Sequence, residues 1–249
     1  MNPKNLFIVG WVITAIAASF LILEYYTLSP IFFLIGLAGA SFIGLWRANR
    51  MKTRDLMFLV GFSIIIALLD EFAHTSSGIL IYFDLNTPSL LTVMGWPLFI
   101  LVILTVSEYL SRTTVLKQLD KMEGKWHGTS LVVFMRTFPA ILAIIMIVGV
   151  AYAQGYLSLF SPLLAATYVA LGLISLYYTQ SRSGGWNLSI LISSVAIGGA
   201  MELLGGLEGL WWYFYLEPMA WFMMFTWALR TWAILTCCHL VGVSFKEVL

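Results

Sequence analysis

The sequence has few charged residues. They make up 10% of the 249 residues, whereas hydrophobic residues make up 61%. A soluble domain usually carries about 25% charged residues because its surface has to be hydrated, so the composition excludes an ordinary soluble globule. The mean hydropathy of +0.93 points the same way. We therefore expect an integral membrane protein.

Net charge, cysteine and histidine are scarce as well. The net charge is +1, so there is no polycationic surface for nucleic acid. The two cysteines, Cys237 and Cys238, are adjacent in the sequence, which excludes a disulfide framework and a CxxC metal site. There are three histidines, and the P-loop, GxSxG, HExxH and dinucleotide motifs are missing. We expect no metal and no other cofactor, and we look for partners among membrane lipids and lipophilic small molecules.

Long apolar runs are what the sequence does contain. A helix needs about 20 apolar residues to cross a bilayer, and this criterion predicts an all-α protein with eight spans. Turn and proline signals separate the runs, because proline cannot donate a backbone hydrogen bond. The predicted spans are Leu6 to Thr27, Pro30 to Trp46, Leu56 to Phe83, Pro88 to Ser111, Ser130 to Gln154, Leu157 to Thr179, Asn187 to Phe214 and Pro218 to Phe245.

The arginine and lysine residues of the loops predict an orientation. With eight spans they all fall on one side, while the opposite loops contain Asp84 and Glu217 and no basic residue. The positive-inside rule then places both termini in the cytoplasm. The first apolar run is long enough to span and lacks a convincing cleavage site, so we expect no cleaved signal peptide. The sequence thus predicts a multi-pass protein of the cell membrane.

The two halves of the chain resemble each other at a nearly constant offset. A buried glutamate, a glycine, a tyrosine and a tryptophan recur in the same order, which favours duplication over similar composition alone. We predict two four-helix units, residues 1–127 and 128–249, with the same orientation, as in parallel repeats. The repeat alignment matches Glu71, Gly78, Tyr82 and Trp96 with Glu202, Gly209, Tyr213 and Trp227.

Charged residues inside the predicted spans are the strongest functional signal. A charge at the bilayer centre costs roughly 2.5 to 3.5 kcal/mol on insertion scales, so each one suggests a functional role. Asp70, Glu71, Glu202 and Arg230 lie at similar depths in their spans, and His74 lies one helical turn from Asp70. We predict that these five residues converge and that they are the catalytic residues.

Small and aromatic residues surround the predicted acidic centre. Gly205, Gly206 and Gly209 share a helix face with Glu202, and that face suits either close helix packing or a flat ligand. Aromatic residues lie on both sides of the acids in the sequence. Tryptophan and tyrosine are typical of the membrane interface, but the faces of rings deeper in the membrane also attract cations. We take as substrate-binding candidates Tyr82, Trp96, Gly205, Gly206, Gly209, Trp212, Tyr213 and Trp227.

A second polar group lies closer to the predicted cytoplasmic side. It comprises Glu108, Arg136 and His239, of which His239 is the repeat equivalent of Glu108. A structural salt bridge between Glu108 and Arg136 is the simplest explanation.

The central residues suggest acid catalysis. A carboxyl group in an apolar pocket resists ionisation and remains an acid at neutral pH. It can protonate a carbon–carbon double bond, and aromatic rings and a second, ionised carboxylate stabilise the resulting tertiary cation. Capture of water gives hydration, whereas ring closure followed by proton loss gives cyclisation. Arg230 is placed to keep one carboxylate ionised while another stays protonated.

The stretch Asp70-Glu-Phe-Ala-His-Thr-Ser-Ser-Gly78-Ile-Leu-Ile-Tyr82, followed by Gly95-Trp96-Pro97-Leu98, resembles small polytopic carotenoid-modifying enzymes. These are the archaeal and bacterial bisanhydrobacterioruberin hydratases and the related small membrane lycopene cyclases. The resemblance implies a long isoprenoid substrate and functional roles for Asp70, Glu71, Gly78, Tyr82, Pro97 and Glu202, with Gly78 added to the substrate-binding candidates. The acidic pair of the cyclases is missing after Pro97, which favours hydration over cyclisation.

Two other functions remain open at this point. The first is a proton-coupled transporter or channel that uses the central carboxylates as a relay. The second is a non-catalytic membrane subunit that binds a quinone or sterol.

Overall fold

The computed structural model describes residues 29–78, 80–82, 90–118, 130–155, 162–207, 211–213, 220–243 and 245. These residues form seven long helices and two three-residue strands, with a short helical turn at 114–118. The helical class is as predicted. The elements are α1 (Ser29–Ala48), α2 (Thr53–Ser76), β1 (Leu80–Tyr82), α3 (Leu90–Ser111), α4 (Ser130–Gly155), α5 (Pro162–Gln180), α6 (Gly184–Leu207), β2 (Trp211–Tyr213) and α7 (Ala220–Leu240).

Apolar helices indicate a multi-pass membrane protein. In the described ranges, four segments are long and apolar enough to cross a membrane: Thr53–Ser76, Thr92–Ser111, Pro162–Gln180 and Gly184–Leu203. Large apolar side chains such as Leu69 on α2 remain exposed on the outer surfaces of these helices. Such surfaces are unfavourable in water but suit contact with lipid chains.

Two predicted spans end earlier than the apolar pattern suggests. The third and seventh spans were predicted to run to Phe83 and Phe214, and this is wrong, because α2 ends at Ser76 and α6 ends at Leu207. Gly78 has a positive φ of 71°, a left-handed conformation that glycine adopts without steric cost and that commonly ends a helix. A continuous apolar run does not by itself separate a helix end from a short strand. The first predicted span, Leu6 to Thr27, lies outside the described residues.

The strands after α2 and α6 pair with each other. β1 and β2 are antiparallel, with Leu80 opposite Tyr213, Ile81 opposite Trp212 and Tyr82 opposite Trp211. The central pair, Ile81 and Trp212, has the same spacing in the chain as Glu71 and Glu202, so the two residues correspond in the repeat alignment that the sequence analysis predicts. The ladder joins the ends of α2 and α6 at one end of the helix bundle.

The core lies where α3, α6 and α7 pack together. α7 contacts α5 and α6 extensively and also packs on α2, while α4 packs on α5. The tryptophans Trp96, Trp227 and Trp232 are almost completely buried in this core. The buried interior therefore brings together helices from both halves of the chain.

Basic residues collect at the other end of the bundle. The guanidinium of Arg47 on α1 is fully buried; it pairs with Glu108 on α3, and its Nη2 donates to the carbonyl of Phe245 at 3.4 Å. Arg112 also pairs with Glu108, at 3.0 Å. Glu108 thus forms ion pairs with Arg47 and Arg112, partners that the sequence did not indicate, while its predicted pair with Arg136 stays a prediction.

Candidate functional site

Arg230 lies at the centre of the predicted catalytic residues. Its side chain on α7 is only 3% exposed. Its Nη2 donates to Oδ2 of Asp70 on α2 at 2.6 Å, and its Nη1 lies 3.6 Å from Oε1 of Glu202 on α6. Three helices therefore meet at one guanidinium group, and the predicted convergence of these charged residues is found in the structure.

Two tryptophans flank the Arg230 guanidinium. Its central carbon lies 4.8 Å from the ring centroid of Trp96 and 5.1 Å from that of Trp227. The two ring centroids are 5.0 Å apart, with an angle of 41° between the planes. Cation–π attraction at such distances stabilises a desolvated guanidinium. The aromatic rings that the sequence suggested for a carbocation therefore already contact a cation of the protein itself.

His74 links Asp70 to a residue that the sequence analysis missed. Nδ1 of His74 lies 2.7 Å from the backbone carbonyl oxygen of Asp70 and 3.3 Å from its Oδ2. Since a carbonyl oxygen can only accept, Nδ1 carries a proton. Nε2 lies 2.7 Å from the hydroxyl of Tyr168, which is fully buried on α5. A tyrosine in an apolar span gives no sequence signal for this contact.

Glu71 follows Asp70 in the chain but has a different environment. Successive helical residues point about 100° apart, so the two carboxyl groups leave α2 in different directions. Glu71 accepts a hydrogen bond from the Tyr82 phenol on β1, and both side chains are buried. The left-handed turn at Gly78 and the pairing of β1 with β2 hold Tyr82 in this position.

Glu202 is bound by a tryptophan as well as by Arg230. Its Oε1 accepts a hydrogen bond from Nε1 of Trp227 at 2.9 Å. One turn before Glu202, Gly198 lies against this tryptophan, and a Cβ added at Gly198 would be 2.2 Å from Cγ of Trp227. Gly198 therefore allows the close approach of α6 and α7 that sets the position of Trp227.

The glycines of the predicted face on α6 differ in burial. Gly205 is buried, whereas Gly206 is exposed, and among the described atoms none lies within 4 Å of a Cβ added at Gly206. Gly209 lies outside the described residues. Trp212 and Tyr213 belong to β2 and contribute its backbone pairing with Ile81 and Leu80.

Several buried polar atoms of the site have unused hydrogen-bonding capacity. Oδ1 of Asp70, Nε of Arg230 and Nε1 of Trp96 are buried and make no hydrogen bond within the described part of the structure. An unsatisfied buried polar group typically costs about 1–3 kcal/mol. Such a cost is unusual in a purely structural cluster. The described residues contain no group of three or more His, Cys, Asp or Glu side chains arranged to hold a metal ion.

Comparison of the chain with known protein families, with curated proteins and with solved structures found no match.

Proposed function

We propose that this protein is a membrane enzyme that protonates a carbon–carbon double bond in a long isoprenoid or carotenoid chain. Hydration follows, or cyclisation if ring closure precedes loss of a proton. The observation that carries this proposal is the meeting of two carboxyl groups, those of Asp70 and Glu202, with Arg230 in a buried, tryptophan-lined setting, with a third buried carboxyl group, that of Glu71, next to Asp70 in the chain. Asp70 and Glu202 share Arg230, whereas Glu71 binds Tyr82, and such differences in environment separate the roles of acid and base.

The reaction needs a proton donor and a stabilising anion. A carboxylic acid O–H bond breaks as its proton joins one alkene carbon, and the electron pair of the double bond forms the new C–H bond. The neighbouring carbon becomes a tertiary cation, which Asp70, kept ionised by Arg230 at 2.6 Å, stabilises electrostatically. Water then adds to the cation and releases a proton to a carboxylate, which regenerates the acid and gives a tertiary alcohol.

The proposal includes a duplicated architecture. In the repeat alignment that matches Glu71 with Glu202, α2 and α6 begin and end at equivalent positions, as do β1 and β2. The β1–β2 ladder is centred on equivalent residues, and the equivalent tryptophans Trp96 and Trp227 pack together. These relations support two units, 1–127 and 128–249, related by a pseudo-twofold axis along the membrane normal. In this arrangement the end of the bundle with the basic residues faces the cytoplasm, as do both termini, in a cell membrane.

A proton relay is the second candidate function. The series of contacts from Tyr168 through His74 and Asp70 to Arg230 favours it, because each pair lies within 2.6 to 3.3 Å. However, α2, α6 and α7 run unbroken past the charged residues, whereas many carriers place their binding sites at discontinuous helices. We therefore rank the enzyme above the transporter.

Expression in a host that accumulates acyclic carotenoids tests the proposed enzyme. Mass spectrometry of the pigments should reveal a product with one added water molecule per reacted end, or a cyclised isomer. Asp70→Asn should abolish the product, whereas Asp55→Asn, at an ion pair with Arg54 near the start of the same helix, should leave it unchanged. An unchanged pigment profile across several acyclic substrates would contradict the proposal.

A further inference from the structure

We propose that Glu71 carries the transferable proton, whereas its repeat equivalent Glu202 is a permanently ionised partner of Arg230. This inference rests on the proposed acid chemistry and assigns its roles. Glu71 and Glu202 occupy equivalent positions on α2 and α6, so a symmetric duplication alone would give them the same role.

The contacts of Glu202 favour its ionised form. Oε1 lies 3.6 Å from Nη1 of Arg230 and accepts a hydrogen bond from Nε1 of Trp227 at 2.9 Å. The guanidinium of Arg230 is a permanent cation, and the indole N–H of Trp227 can only donate. A proton on Oε1 would oppose both contacts.

The charge balance around Glu71 favours its protonated form. The Tyr82 hydroxyl, a neutral group, donates to Oε2, which is compatible with a proton on Oε1. The carboxylates of Asp70 and Glu202 together already exceed the single charge of Arg230, and His74, the other basic group at the site, contacts Asp70. A third buried anion would lack a counter-charge among the residues that the structure describes, and an unpaired buried charge is strongly unfavourable.

The other polar residues of the cluster also differ between the two halves of the chain. In the same repeat alignment, Asp70 corresponds to Met201, His74 to Gly205 and Arg230 to Phe99. Each of the polar partners therefore occurs once, in one half only. The duplicated scaffold thus has a single reactive acid. Asp70 and His74 of the same half, together with Glu202 and Arg230 of the other half, supply its electrostatic environment.

Glu71 is also placed next to the lipid-facing side of α2. Leu68 and Phe72, three residues before it and one after, are 42% and 54% exposed. An apolar chain that approaches from the bilayer along this side of α2 passes close to Glu71. The acid O–H of Glu71 then gives its proton to the alkene carbon, and the carboxylate keeps the hydrogen bond from Tyr82. The water that adds to the cation returns a proton to Glu71.

Infrared spectroscopy of the purified full-length protein in lipid at neutral pH tests this assignment without any substrate. A protonated carboxylic acid has a C=O stretching band that is separate from the bands of a carboxylate. We expect the wild-type band to be lost in Glu71→Gln and kept in Glu202→Gln. Tyr82→Phe should keep the band but shift it to higher frequency, because the carbonyl loses its hydrogen bond.

Absence of the band in the wild type, or its loss in Glu202→Gln, would overturn the assignment. If Glu71→Gln does not fold, the C=O band of Tyr82→Phe tests the assignment instead. A band at the wild-type frequency in Tyr82→Phe would then overturn the assignment. The proposed function is tested separately by the pigment analysis. The expected infrared bands together with unchanged pigments would refute the carotenoid chemistry but leave the proton assignment intact.

Discussion

Arg230 on α7 and Asp70 on α2 form a buried ion pair between residues that are 160 positions apart, with Nη2 and Oδ2 at 2.6 Å. The pair joins a helix of the first half to a helix of the second. Because Glu202 on α6 lies 3.6 Å from the same guanidinium, the arginine is the common partner of both carboxylates.

Arg230→Gln should therefore destabilise the protein strongly. It leaves Asp70 and Glu202 buried without their cation, and breaking a buried pair on one side typically costs about 3–5 kcal/mol. The measurement is reversible unfolding in mixed micelles. The control is Arg54→Gln, which removes a pair with Asp55 in which the arginine side chain is 64% exposed; it should cost at most about 1 kcal/mol. Equal effects of the two variants would contradict the importance of the central pair.

Two glycines of α6 provide a matched test of how Trp227 is positioned. In Gly198→Ala the new Cβ would overlap Trp227, so we expect a loss of about 1–3 kcal/mol in unfolding free energy and a change in tryptophan fluorescence. Gly206→Ala meets no described atom within 4 Å and should be neutral or stabilising by up to about 1 kcal/mol, since alanine favours a helix. Similar effects at both positions would show that Gly198 is not a specific contact point.

Tyr168→Phe should lower activity by removing the partner of His74 Nε2. A buried nitrogen that loses its hydrogen bond costs about 1–3 kcal/mol, and His74 would no longer be fixed against Asp70. Tyr177→Phe, at an exposed position on the same helix, serves as the control and should have little effect. Product formation and unfolding are measured for both variants. Wild-type activity in Tyr168→Phe would exclude a positioning role for this tyrosine.

The proposed orientation predicts opposite labelling of the two ends of the bundle. With Cys237 and Cys238 replaced by alanine, a cysteine at Lys117 should react with an impermeant thiol reagent only after the cells are opened. A cysteine at Asn86, in a loop predicted on the other side, should react in intact cells. The reverse pattern would overturn the cytoplasmic placement of the basic end.

The sequence could predict which charged residues meet, but not all of their partners. Asp70, Glu202 and Arg230 are costly in apolar helices, and this cost leaves few arrangements other than mutual contact. Tyr168 carries no such penalty, so nothing in its sequence context distinguishes it from an ordinary core tyrosine. Arg47 lies at a helix end, where an arginine usually reaches water, and the sequence therefore did not suggest its burial against Glu108.

The sequence also did not predict where the helices end or which glycines make close contacts. Ile81 and its neighbours continue an apolar run, and only tertiary pairing with β2 makes them a strand. Gly198 and Gly206 look alike in the sequence, although the first contacts Trp227 and the second has no described atom within 4 Å of an added Cβ. Such distinctions depend on which helix lies opposite, and periodicity does not contain that information.

The most direct measurement of the central claim is deuterium incorporation during turnover. The protein in lipid is incubated with an acyclic carotenoid in heavy water, and the product is analysed by mass spectrometry after back-exchange in ordinary water. Protonation of a double bond by an acid of the protein should leave one non-exchangeable carbon-bound deuterium in each reacted end. The incorporation should disappear together with the product in Glu71→Gln. A product without carbon-bound deuterium, or full incorporation in Glu71→Gln, would contradict acid catalysis at this site.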